Sequence, residues 1–183
     1  MTRGLRVEPE LRELYRASVG PVSEPPGLFK HATHPFLAAS PDGLGPDGLL
    51  VELKTTTIYT RQSWGEPGTD SVPDGYNIQC QQMMALAGCD RCHLLVAFGV
   101  DGTEAIEHSP LDVELRPTFA IDSTAVYLLK RDDALCRALE DAAVSFWRDF
   151  VETGKPPPGK PMHNIRKWAA LLKGQSTNEV KHG

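Results

Sequence analysis

Ser40-Pro41-Asp42-Gly43, followed ten positions on by Glu52-Leu53-Lys54, constrains this chain more than any other stretch. Pro35 to Ser40 is short, apolar and bounded by Pro and Asp, so it predicts a buried strand. Leu44-Gly45-Pro46-Asp47-Gly48 is dense in turn formers. Leu49 to Thr56 predicts a second strand. Alternate side chains of a strand share a face, so Glu52 and Lys54 point one way and Val51, Leu53 and Thr55 the other. A hairpin through the turn brings Asp42 within cross-strand reach of Glu52. Two carboxylates and an amine at one spot can bind a divalent metal and activate water, chemistry that cuts phosphodiesters. The same strings also suit a common Asp-Gly turn and a solvated strand face. Asp47, inside the turn itself, reads as a turn residue.

The rest of the chain sets the frame. With 183 residues it fits one domain with a sizeable core. Hydrophobic and charged fractions of 40% and 23% are ordinary for a globular protein. No apolar run approaches the ~20 residues of a membrane span. The N-terminus leads directly into charged residues without a signal-peptide stretch, which points to an intracellular protein. A net charge of −5 gives no global basic signal for nucleic acid, although basic groups gathered on one face would suffice. Cys89-x-x-Cys92 beside His93 lacks the second pair that a zinc site needs. Cys80, Cys89, Cys92 and Cys136 are therefore read as free thiols.

Along the chain, Glu8 to Arg16 predicts a helix with Leu11, Leu14 and Tyr15 as its buried stripe, ended by Gly20-Pro21. Val22 to His34 reads as a connection or short strand. Thr57 to Gly75 reads as a loop. A second helix spans about Tyr76 to Ala87 and stops at Gly88. Arg91 to Gly99 is a strand. Val100 to Thr103 turns into further strands near Glu104–Pro110 and Val113–Ile121. A last helix runs from about Asp132 to Thr153, with Leu135, Leu139, Ala142, Phe146 and Phe150 on its core face. The order predicts a mixed α/β domain, a central sheet between helices. No Gly-rich strand-to-helix turn supports a doubly wound nucleotide fold.

The motifs together resemble the YqaJ-like viral recombinase nucleases, relatives of phage lambda exonuclease in the PD-(D/E)xK superfamily. Gly4-x-x-x-Glu8-Pro9 is similar to the family's first-helix motif. Ser40-Pro41-Asp42-Gly43 and Val51-Glu52-Leu53-Lys54-Thr55 are similar to the second and third. Val72-Pro73-x-x-Tyr76-x-x-Gln79-x-Gln81-x-x-Met84 resembles the helix motif after the catalytic hairpin. Phe146-Trp147 and Gly154-Lys155-Pro156-Pro157 resemble the C-terminal helix and its exit.

The resemblance implies a restriction-endonuclease-like core over residues 1–160, with 161–183 a basic extension whose end is disordered. It implies that Asp42, Glu52 and the Leu53 carbonyl hold Mg²⁺, with Mn²⁺ as a substitute, and that Glu8 completes the site. Lys54 would orient the attacking water or stabilise transition-state charge, and Gln79 would touch the lysine, the water or the phosphate. Glu8 also fits a helix N-terminal charge, Gln79 a solvated helix position, and Glu10 competes with Glu8 but falls outside the glycine spacing. The implied activity is a metal-dependent 5′–3′ exonuclease on linear double-stranded DNA in phage-type recombination. A DNA-end-binding recombination adaptor and a structure-specific or defence endonuclease are the alternatives. A ring-shaped trimer and a single-strand annealing partner are implied by the resemblance alone. Family members carry a DNA-gripping segment before the first motif, which here starts at residue 4, so the metal centre is predicted and the mode of end recognition is not. Two basic clusters, Arg3/Arg6/Arg12/Arg16 and Lys155/Lys160/Arg166/Lys167/Lys173 around His163, suit phosphate contacts or solvated faces. Trp64 suits base stacking or loop anchoring, and anchoring is the commoner use.

Overall fold

The computed structural model describes residues 3–24, 27–109 and 112–158. The predicted 161–183 extension lies outside them. The first helix, α1, spans Arg3–Ser18 and so starts before Glu8, with Pro9 inside it. Pro9 has no N–H for the Leu5 carbonyl, and this break in the ladder is what makes the helix look from sequence as though it begins there. Its buried stripe is Val7, Leu11 and Tyr15, at i, i+4 and i+8, whereas Leu14 is 37% exposed.

The predicted strand over Pro35–Ser40 shrinks to two residues and does not pair with the long strand. Ala38–Ala39 (β2) pairs antiparallel with Phe29–Lys30 (β1) as a separate two-stranded sheet. The hairpin partner of the long strand is instead Gly43–Leu44 (β3), immediately after Asp42. A 3₁₀ turn over Pro46–Gly48 follows, with Asp47 at φ 55°, the left-handed conformation of a turn residue. Leu50–Thr57 (β4) then enters the sheet.

Four strands form the main sheet in the order β3-β4-β5-β6, where β5 is Arg91–Ser109 and β6 is Asp112–Lys130. The β4–β5 pair is parallel and the others antiparallel. Parallel neighbours need a crossover, and α2 (Asp74–Ala87) supplies it. Gly88 at φ 69° ends α2 in the left-handed cap that favours glycine. The connection before α2, predicted as loop, opens with a 3₁₀ stretch over Ile58–Ser63. Trp64 anchors it, packed among Tyr76, Phe98 and Tyr127 at centroid distances of 4.8, 5.8 and 5.2 Å.

The predicted turn at Val100–Thr103 is not one. Asp101-Gly102 has turn chemistry, yet β5 runs straight through it. The strand shifts register between Phe98 and Gly99, where a Cβ on Gly99 would sit 2.3 Å from the Ala120 carbonyl oxygen. Only glycine permits that approach. Pairing with β4 ends at Gly99, so the outer parts of β5 and β6 continue as a two-stranded ribbon.

Strand alternation divides the core between two faces. Val51, Leu53, Leu95 and Ala97 pack under Val7, Leu11 and Tyr15 of α1. Leu50, Leu94, Val96, Phe98, Tyr127 and Leu129 pack against Cys80, Met83 and Met84 of α2. The last helix, α3 (Asp133–Phe146), is capped by the Asp132 carboxylate, which accepts from the Ala134 and Leu135 amides. It passes into a π-helical turn over Trp147–Val151. Its buried residue is Cys136, while Phe146, predicted for the core, is 44% exposed.

Gln81 ties these layers together. Its Nε2 donates to the Lys130 carbonyl at 2.8 Å, and its Oε1 accepts from the Asp132 amide at 2.8 Å. It is 4% exposed. Gln81→Ala strands two backbone groups and is expected to destabilise the domain by about 1–3 kcal/mol. Urea unfolding checks this, and an unchanged midpoint would count against the clamp.

Candidate active site

Glu52 is the third residue of β4 and is 2% exposed. The period of two turns it, with Leu50, Lys54 and Thr56, toward the face that α2 crosses. That crossover brings Gln79 over Glu52. Lys54 Nζ donates to Glu52 Oε1, and Gln79 Nε2 donates to the same oxygen at 3.0 Å. Glu52 Oε2 is buried and, among the described residues, has no hydrogen-bond partner.

Asp42 comes from the other arm of the hairpin. The β3–β4 register pairs Gly43 with Val51, and one step further places Asp42 opposite Glu52. Asp42 Oδ2 accepts from the Leu53 amide at 2.8 Å. In a strand a residue's N–H and C=O reach toward the same edge, so the Leu53 carbonyl lies on the Asp42 side, beyond the end of β3. Glu8 arrives on α1 from the opposite face. Glu8, Asp42, Leu53 and Lys54 line one cleft of about 490 Å³, together with Gly4, Leu5, Leu11 and Thr55. Glu10 is exposed and outside that lining. The six predicted site residues thus converge from α1, the β3 approach, β4 and α2.

Electrostatics give the cluster its character. Burial, with the Asp42 charge adding to it and Lys54 opposing, raises the Glu52 pKa to about 7 from its ordinary 4.5. Burial raises Asp42 too; its bond from Leu53 and the Lys54 charge oppose this, while Glu8 adds to it. Burial pulls the Lys54 ammonium down, but the Glu52 charge and hydrogen bond outweigh it and hold Lys54 above its usual value. Lys54 therefore stays cationic, while burial and mutual repulsion oppose ionisation of Asp42 and Glu52.

A divalent cation fits this donor set. Hard oxygen donors suit Mg²⁺, and an unpartnered buried carboxylate oxygen is the atom a cation would satisfy.

Arg12 was grouped with the basic residues suited to DNA; the structure gives it other work. It is 9% exposed, and Nη2 donates to Glu8 Oε1 at 2.6 Å. The i, i+4 spacing of Glu8 and Arg12 was the available signal. Arg16 bonds Glu13 and the Val22 carbonyl. The cysteine motif does not converge: Cys92 packs in the core on the α2 side, whereas His93 Nδ1 contacts Tyr15 OH at 2.8 Å on the α1 side. All four cysteines are free and buried.

Residues 1–90 match the family model described as the YqaJ-like viral recombinase domain. The uncharacterized protein YqaJ of Bacillus subtilis (strain 168) is 21% identical over 131 residues, 71% of this chain and 34% of that protein. The chain thus spans about a third of that relative's length. Among solved structures, an alkaline exonuclease (LHK-Exo) from Laribacter hongkongensis superposes with a TM-score of 0.57 at 26% identity, covering 93% of this chain and 74% of the other. A phage related exonuclease from Haemophilus somnus 129PT gives a TM-score of 0.57 at 16% identity, covering 84% and 72%, and shows the shared fold.

Proposed function

We propose that this chain, whose residues 1–90 match the YqaJ-like viral recombinase domain, is a metal-dependent deoxyribonuclease acting on linear double-stranded DNA as an exonuclease. The observation that carries the reading is Glu52, a carboxylate inside the sheet with Lys54 and Gln79 on one oxygen and, among the described residues, no hydrogen-bond partner on the other. A neutral core would exclude such a group. The likeness to an alkaline exonuclease over most of the chain supports the same chemistry.

In this reading Asp42, Glu52 and the Leu53 carbonyl hold Mg²⁺ or Mn²⁺, with Glu8 at the rim. When bound, the cation would neutralise charge at the scissile phosphate and lower the pKa of a water so that hydroxide can attack. Lys54 places its positive charge beside the carboxylates, where charge develops on the phosphoryl oxygens. Gln79 holds Glu52 Oε1 and, from its exposed position on α2, presents its amide toward incoming phosphate. Arg12 restrains Glu8 from the α1 side.

The test is a time course on 5′-phosphorylated linear DNA and closed circular DNA, with Mg²⁺ and with chelator. Progressive loss of linear DNA alone, only with Mg²⁺, is the expected result. Cutting of closed circles would make the chain an endonuclease on the same centre. Binding of linear ends without turnover would reject the nuclease reading in favour of an adaptor.

A further inference from the structure

Away from that cleft, His31, His34 and Glu140 each offer one ligand atom, and these three atoms lie within 4.8 Å of one another. We propose that they form a second, distinct metal site, for a zinc-class divalent transition ion, that staples the β1–β2 hairpin to α3. Two imidazoles and one carboxylate are a donor set such ions favour over Mg²⁺, with a position left for water.

The frame around the cluster is already built. His31 and His34 lie in the connection between β1 and β2. Their rings stack at 5.2 Å with 16° between planes. His34 leans on Phe36, and Phe36 stacks on Trp147 at 4.3 Å and 7°. The connection is therefore held against the end of α3 by an aromatic contact independent of the ligands. Glu140 reaches across from α3, with His31 Nε2 at 3.2 Å from its Oε1. All three residues are half-buried, so an ion has a way in.

The competing arrangement is on the same atoms. His31 Nδ1 lies 3.2 Å from the His34 amide and 3.4 Å from the Thr33 amide, which suits a ring that accepts there and donates from Nε2 to Glu140. Ligation through Nε2 requires the other tautomer, whose Nδ1 proton has Thr33 Oγ1 at 3.3 Å to receive it. The amide contacts are long, and Zn–N bonds of about 2.0–2.1 Å also require the three ligands to draw closer. Ion binding thus replaces a hydrogen bond with a staple, and β2 leads within a few residues into Pro41-Asp42.

Zinc binding to tag-free protein in excess Mg²⁺ tests the site. One equivalent of Zn²⁺ is expected to raise the melting temperature; free zinc at 100 times Kd favours the folded state by about 100-fold. The effect is expected to vanish in His34→Gln and Glu140→Gln and to persist in Asp42→Asn. Ring-nitrogen NMR on the wild-type protein gives a readout that needs no variant: His31 and His34 are the imidazoles expected to shift. Loss of the zinc effect in Asp42→Asn, or its survival in His34→Gln, overturns the proposal. So does unchanged melting, which leaves a His31–Glu140 hydrogen bond only. None of these outcomes depends on nuclease turnover, so this site and the proposed function can fail separately.

Discussion

Lys54→Ala is expected to cut turnover of linear double-stranded DNA by about 10²–10³-fold, the usual loss when one donor to a charged transition state is removed. Lys54 has two possible ways to matter, and they separate experimentally. It can act on the phosphate, or it can merely keep Glu52 ionised by donating to Oε1. In the second case the variant binds metal more weakly, and saturating Mg²⁺ at high pH restores the rate. Single-turnover rates across a Mg²⁺ titration at two pH values decide. A rate that recovers fully with Mg²⁺ rejects a role for Lys54 in the chemical step.

Glu52→Gln is expected to abolish Mg²⁺-dependent cleavage and yet stabilise the metal-free protein above neutral pH. The sign follows from the direction of the shift. An acid with a raised pKa holds its proton more tightly in the folded chain, so stability falls as pH climbs from the ordinary 4.5 to about 7 and is level beyond. Glutamine removes that loss, on the order of 3 kcal/mol. Deleting one half of a buried pair usually destabilises. Here burial and Asp42 already outweigh Lys54, so neutralisation wins. Lys54, 24% exposed, can also turn outward. Thermal melts in chelator at pH 5 and pH 8 measure both arms. A variant less stable than wild type at pH 8 would reverse the ordering of these forces. The same shift predicts Mg²⁺ affinity that weakens below about pH 7, as the ion has to displace the Glu52 proton.

Residue chemistry and a period of two were enough to bring Asp42, Glu52 and Lys54 together, because β4 is eight residues long and its alternation is strong. Gln79 came from the resemblance of the motif over residues 72–84, while composition alone gave only the end of α2 at Gly88. The division of Pro35–Leu44 between two sheets was not legible, since two-residue strands have no period to read. Pro9 masked the true start of α1, and the exposed Leu14 took the place of Val7 in the predicted stripe. Asp101-Gly102 carried turn chemistry that tertiary pairing overrode. The His31–His34–Glu140 group joins residues from opposite ends of the domain, so only the fold could assemble it. Arg12 shows the reverse error: a charge near the N-terminus looked free for DNA but is committed to Glu8.

The two arms of the hairpin differ in how firmly they are held. Glu52 and Lys54 ride on a strand paired through all eight of its residues to β5, whereas Asp42 precedes β3, which pairs with β4 through two residues and is bridged to Ser23 on its other side. Fraying of β3 is expected to separate the carboxylates while the sheet stays folded, a sub-global opening below the free energy of unfolding. Activity and global melting need not track each other in such a molecule. Hydrogen exchange at the Leu53 amide, which Asp42 holds, reads that opening at the site itself.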